Sequence, residues 1–438
     1  MGNRKIIKSA VNLIILAFIG YFISYLLNIC MSNHLKPVLY GDFTATVVAI
    51  NITTFILLFG ADTVVIKYFP TYLKSNNTQL ISSFRYWNYR LIRKTFSICI
   101  IAFLVLYLVL FLFQIYGIDI KLPKHCAIFI LWIAPFSALS VLLSNYILSG
   151  RLVSLYYLFN NLAMPFFLLI AFSASALIFN YKLNYMNIII FILTAYCVVI
   201  IIKLFIVKKI FSKVKIKIFK SYKEFDCDLK SEWTSDTIKY FSNKIALTFI
   251  TSITIIIVQI AGTEKFALGY YSAILSITSV VLLIPMALSS LIKSNAVSLI
   301  NESKYDELSK ILNMTNYINI TVCFIVFILI AVFSKTILTT YGKGNEGVCI
   351  PLIIQAAAYL ISAVFTVPDK LLALINVKAE VKFNIAQLGL LVILGFPMTY
   401  YFGLIGITTA ILIAVALKSI LVFICLKRLL PVKFLIVI

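Results

Sequence analysis

Long apolar runs separated by short polar breaks fill almost the whole chain, without the in-and-out alternation of strands. A helix that crosses a bilayer needs about 20 apolar residues. About twelve runs reach that scale: 9–30, 42–66, 95–116, 126–148, 152–179, 186–207, 237–260, 267–292, 311–333, 348–374, 382–402 and 404–426. Their length and uniform apolarity predict helices rather than barrel strands, because a barrel alternates lipid-facing and lumen-facing residues. The expected fold class is an all-α integral membrane protein with about twelve transmembrane helices.

The longest interruption lies near the midpoint. It runs from Lys208 to Lys244; its first part carries Lys208, Lys209, Lys213, Lys215, Lys217, Lys220 and Lys223, and its last part Lys239 and Lys244. It divides the runs six and six. The expected organisation is an N-terminal six-helix lobe (1–207), a basic cytoplasmic linker (208–236), a C-terminal six-helix lobe (237–426) and a cytoplasmic tail (427–438).

Composition agrees with the pattern. Of 438 residues 62% are hydrophobic, and the mean hydropathy is +1.06. The net charge of +23 would suggest nucleic acid on a soluble domain. Here the basic residues gather in loops, so anionic headgroups and the positive-inside rule account for them and no nucleic-acid partner is expected. With the N-terminus cytoplasmic, the inner segments hold roughly 27 Lys and Arg, and the outer loops about seven: Lys36, Lys121, Lys124, Lys182, Lys265, Lys335 and Lys343. Both termini are therefore expected in the cytoplasm. The first run lacks a small-residue cleavage site and reads as a span rather than a signal peptide. The eight cysteines have no CxxC spacing and read as small hydrophobes.

Two short motifs recur at similar offsets. Tyr40-Gly41-Asp42-Phe43 opens the second run and Leu268-Gly269-Tyr270-Tyr271 the eighth; Leu148-Ser149-Gly150-Arg151 closes the fourth, and Leu374-Ile375-Asn376-Val377-Lys378 follows the tenth. Six helices per half make this a parallel repeat. The stretch L-x-P-x-x-Y-G-x-F from Leu35 to Phe43, followed by Phe59-Gly60-Ala61-Asp62, resembles the opening of polysaccharide-biosynthesis membrane proteins. Gly269-Tyr270-Tyr271-Ser272-Ala273, Leu283-Ile284-Pro285 and the loop 301–308 resemble the start of their second half. The chain is most similar to Wzx-type O-antigen flippases, in a superfamily shared with MATE exporters and lipid II flippases.

That resemblance implies two MATE-like lobes around a central cavity in a bacterial inner membrane. It also implies an undecaprenyl-diphosphate-linked oligosaccharide moved from the cytoplasmic to the periplasmic leaflet by alternating access. The partners implied are that lipid-linked oligosaccharide, membrane lipids and polysaccharide assembly proteins. No cofactor is expected. The acidic residue that such proteins often carry late in the seventh span has no counterpart in 248–259.

A diphosphate headgroup needs a shielded cationic path, and Lys or Arg suits it through charge-assisted hydrogen bonds. Charges inside spans are therefore the sharpest candidates, each costing about 2.5–3.5 kcal/mol at a helix centre. Lys244 and Lys418 lie deep; Lys239 and Lys203 lie nearer the interface, where snorkelling is the plainer reading. Asp62 reads as a partner for a basic residue, a helix-end charge or an ion-coupling group. Asn160, Asn161 and Gln355 are cavity candidates for sugar hydroxyls. With Asn12, Asn28, Asn51, Asn145, Gln259, Asn316 and Asn384 they equally suit helix–helix glue. Pro135, Pro165, Pro285 and Pro368 mark kinks or bending points. No HExxH is present, Gly342-Lys343-Gly344-Asn345-Glu346-Gly347 is not a Walker A loop, and His34 and His125 lie in outer loops. The reading is a transporter rather than an enzyme, with a cation-coupled small-molecule exporter as the alternative. A glycan polymerase or glycosyltransferase would need a larger outer loop.

Overall fold

Uniformly apolar runs in lipid can satisfy their peptide groups only within themselves, and every described run is helical. The computed structural model describes residues 3–35, 37–75, 77–115, 124–150, 152–179, 185–213, 227–262, 266–283, 285, 305–342 and 345–429. Within them lie α1 (Asn3–His34), α2 (Pro37–Leu58), α3 (Ala61–Lys74), α4 (Thr78–Ile115), α5 (Lys124–Ser149), α6 (Val153–Tyr157), a π turn (Leu158–Leu162), α7 (Ala163–Phe179), α8 (Tyr185–Lys213), α9 (Cys227–Ala261) and α10 (Ala267–Thr278). They continue as α11 (Tyr305–Val332), α12 (Ser334–Thr339), a 3₁₀ turn (Asn345–Val348), α13 (Cys349–Ile375) and α14 (Val377–Leu429).

Seven described helices are long and apolar enough to cross a membrane, so the chain is a multi-pass membrane protein. Ile98, Ile101, Val105 and Leu108 leave one face of α4 apolar and exposed, as a lipid-facing surface requires. The two ends of the basic connector are helical, 208–213 closing α8 and 227–236 opening α9. Its middle, 214–226, lies outside the described residues, as do Ile284, the loop 301–304 and the side chains of Asn12 and His125.

The helix α14 is two limbs. Gly403 has φ +56, and a Cβ on Gly406 would meet the carbonyl oxygen of Met398 at 1.8 Å. Residues eight apart on one straight helix stand about 12 Å from each other, so the chain folds back at Gly403.

Two compact units divide the chain, Met1–Gly41 with Phe249–Ile438, and Asp42–Thr248. The division falls inside α2 and α9. The 42–248 unit is centred on an aromatic core in which Trp233 packs against Tyr72, Phe84 and Trp87. The Trp233 indole N–H donates to the Tyr72 hydroxyl at 3.0 Å, which satisfies the one polar atom that the ring carries into the core. In the other unit Leu308 and Leu312 pack with Val367, Leu371, Val422 and Leu426. There the two copies of the first recurring motif meet: a Cβ on Gly41 would lie 2.9 Å from the amide nitrogen of Gly269, and one on Gly269 would lie 2.4 Å from the carbonyl oxygen of Pro37. Only glycine permits that approach.

Candidate functional site

In the 42–248 unit the site is built from a break in a helix. Between α2 and α3 the backbone turns left-handed at two residues, Phe59 (φ 45) and Gly60 (φ 78). A Cβ on Gly60 would stand 2.5 Å from the carbonyl oxygen of Thr237, so the glycine lets α9 touch the break. Phe55 and Phe59 stack on Phe241 at 5.1 and 4.4 Å. These contacts present the first turn of α3 to α9. Asp62 sits there, buried, with its Oδ2 2.5 Å from Lys244 Nζ. Helical side chains lean toward the N-terminus, which is how Lys244 reaches back along α9. Asp62 Oδ1 and Thr63 Oγ1 are buried with no hydrogen-bond partner among the described residues.

Farther along the same two helices Lys67 donates to Asp236, and the Tyr68 hydroxyl is shared between Glu232 (2.7 Å) and Asp236 (2.8 Å). The hydrogen bond to Asp236 holds the Lys67 ammonium above its usual range. The hydrogen bond from Lys67 holds the Asp236 carboxyl below the usual carboxylate range.

Lys203 departs from the snorkelling expectation. It is only 2% exposed and points from α8 into α5, donating to the Ser140 hydroxyl (2.7 Å) and carbonyl (3.2 Å). Both acceptors are neutral. Its position on α8 brings it against the small side chain of Ser140.

The other candidates separate. Lys239 is exposed, with Asp236 3.5 Å away. Asn160 and Asn161 lie in the π turn and hydrogen-bond each other at 3.3 Å; such turns occur often at functional sites. In the unit that holds the C-terminal residues, Lys418 pairs with Asp369 at 3.2 Å, and Gln355 is fully buried on α13. Asn28 accepts from the Tyr40 hydroxyl and donates to the Ser24 carbonyl, as helix glue does. Asn384 is 1% exposed with neither side-chain polar atom bonded among the described residues. A cavity of about 270 Å³ lies against Ser32, Asn33, Tyr40 and Tyr341.

Asp369 was not singled out from the sequence. It lies inside the run 348–374, beside Pro368 and Lys370, and the signal that would have found it is that placement of a carboxylate within an apolar run.

No family model matches this chain, and no curated protein does. Solved structures do. The lipid II flippase MurJ in an inward closed conformation superposes with a TM-score of 0.68 at 14% identity, over 95% of this chain and 87% of that one. An inward-facing multidrug resistance MATE family transporter of the MOP superfamily gives 0.65 at 10% identity, covering 96% and 97%. A MOP superfamily transporter from Pyrococcus furiosus, described as having a binding pocket of reversed polarity, gives 0.59 at 13% identity, covering 96% and 95%. These superpositions show a common fold over most of each chain, and at such low identity they show the fold alone.

Proposed function

We propose that the protein is a flippase for an undecaprenyl-diphosphate-linked oligosaccharide, of the Wzx type. It carries the headgroup of an O-antigen or similar repeat unit from the cytoplasmic to the periplasmic leaflet of a bacterial inner membrane. Two six-helix lobes rock about a central cavity, with both termini and the basic linker in the cytoplasm. The polyprenyl tail stays in lipid while the headgroup crosses. Lys203, Lys244 and Lys418, with Lys239 at the entrance, supply positive charge, Asn160 and Asn161 face the sugars, and Gln355, buried in this conformation, joins them when the cavity opens.

One observation carries the choice of cargo. Asp62 and Asp369 are each neutralised by a lysine, whereas Lys203 is buried on neutral acceptors alone. Among these three described sites the buried charge left over is positive, which suits an anionic headgroup. A cation-coupled exporter, the alternative that the same fold supports, calls for carboxylates free to take the cation.

Binding tests the choice. Purified protein in nanodiscs is mixed with a polyprenyl diphosphate bearing one sugar, with the corresponding monophosphate, or with a hydrophobic organic cation. The proposal expects thermal stabilisation that is strongest with the diphosphate and weakened in Lys203→Met. Stabilisation by the organic cation alone would assign the chain to small-cation export.

A further inference from the structure

The Asp62–Lys244 pair is lopsided. The Asp62 side chain is 8% exposed and that of Lys244 38%. The acid is sealed in the unit while its ammonium partner can be reached. One carboxylate oxygen accepts from Lys244; the other, Oδ1, has no partner among the described residues. Among the described residues no second cation contacts Asp62. On α9, Asp236 and Glu232 are engaged with Lys67 and Tyr68. On α6, Tyr156 is the phenol within electrostatic reach of Asp62. On α5, Tyr146 accepts from Asn88; on α4, Arg85 lies over the Phe211 ring; and on α8, Lys203 is held by Ser140.

We propose that Lys244 is exchanged between Asp62 and the diphosphate of the cargo, and that Asp62 takes up one proton when it gives up the lysine. This rests on the reading that the cargo carries a diphosphate. A phosphate oxygen approaching the reachable ammonium competes directly with Oδ2. If the lysine leaves, a sealed carboxylate without a counter-ion is strongly disfavoured, and it neutralises by protonation. The step balances: one proton from water converts the Asp62 carboxylate to the acid, and Lys244 keeps its three protons and changes acceptor. No bond of the cargo is made or broken. Cargo binding and proton binding are then linked at one pair.

The test uses the full-length protein in sodium-free nanodiscs and a polyprenyl diphosphate carrying one sugar, whose two phosphates are both diesters and do not titrate near neutrality. Affinity is measured from pH 6 to 8, and proton uptake is read from calorimetry in buffers of different ionisation enthalpy. The expected result is one proton taken up per diphosphate bound, with wild-type affinity rising about tenfold per unit fall in pH. In Asp62→Asn, binding persists, is independent of pH and takes up no proton. Lys244→Gln loses the diphosphate, and so does the double variant Asp62→Asn/Lys244→Gln, which leaves no buried charge unpaired and keeps a Tm near wild type; a double variant that binds as wild type does overturns the exchange. Wild-type binding without proton uptake, or linkage that survives in Asp62→Asn, overturns the exchange and leaves the cargo reading standing. Binding without proton uptake that appears only when sodium is added overturns it in favour of a metal cation. Failure of wild type to bind any diphosphate overturns the cargo reading and the exchange with it.

Discussion

Gly41 and Gly269 pack backbone against backbone, and each comes from one copy of the same recurring motif: a Cβ on the first would meet the amide of the second at 2.9 Å. Two segments that open matching helices in the two halves of the sequence are thus brought to one point within a single compact unit. The glycines are there for that approach. A methyl group at Gly269 would strike the Pro37 carbonyl at 2.4 Å, and backbone cannot swing aside as a side chain can.

Gly269→Ala is therefore expected to destabilise the protein by about 1–3 kcal/mol, the usual penalty of overpacking. Gly389→Ala is the control, because nothing lies within 4 Å of its added Cβ and alanine favours the helix. Thermal unfolding in detergent should show a lower Tm for the first and an equal or higher Tm for the second.

Lys203 tests the separation of stability from transport. Its ammonium is buried on the Ser140 hydroxyl and carbonyl, and a buried charge without an opposite charge is a burden on folding. Lys203→Met, close in shape, should leave Tm unchanged or raise it while lowering flipping of a diphosphate-linked glycan. A fall in Tm together with unchanged flipping would make the lysine a structural post.

The pair in the other unit behaves as a buried ion pair, both side chains being less than a fifth exposed. Asp369→Leu alone strands the Lys418 ammonium and should destabilise by about 3 kcal/mol. The double variant Asp369→Leu/Lys418→Met should recover much of that loss, giving a coupling energy of the same order in a double-mutant cycle.

The contact of Lys67 with Asp236 sets a pH dependence with a definite sign. The Asp236 carboxyl is held low by Lys67, so its stabilisation is present above about pH 4 and fades as the pH falls through the lowered value. The Lys67 ammonium is held high by Asp236, so its share is present below about pH 10 and fades as the pH rises through the raised value. Lys67 is 44% exposed, and water screening keeps the effect under about 1 kcal/mol. The Tm difference between wild type and Asp236→Asn should be flat near neutrality and shrink toward both extremes.

Much of this was legible in the sequence, and for physical reasons. Apolar run length reports helices because lipid forces them, and the reversal at Gly403 coincides with the break between two runs. Lys244 and Lys418 stood out because charge within apolar surroundings is rare. Their partners did not. Asp62 lies 182 positions from Lys244, and no local pattern encodes such a pairing. Lys203 read as a snorkelling lysine because its distance from the interface is set by sequence, while its direction is set by the face of α8 that meets α5. The left-handed turn at Phe59 and Gly60 was hidden inside one apolar run, since a helix break between two packed limbs needs no polar residue. Asp369 lay within the run 348–374 and was missed there, because the lysine that pairs with it, Lys418, comes from another run.

The flippase reading rests most directly on translocation itself. Wild-type protein is reconstituted into liposomes carrying a fluorescent diphosphate-linked oligosaccharide lipid in both leaflets, and an external glycan-cleaving enzyme reports how much cargo becomes accessible. The inner-leaflet pool is expected to be consumed with wild-type protein, and more slowly with Lys203→Met and Lys244→Gln, each folded and inserted. An inner-leaflet pool as protected as in empty liposomes, under every imposed proton, sodium and voltage gradient, would contradict the flippase reading.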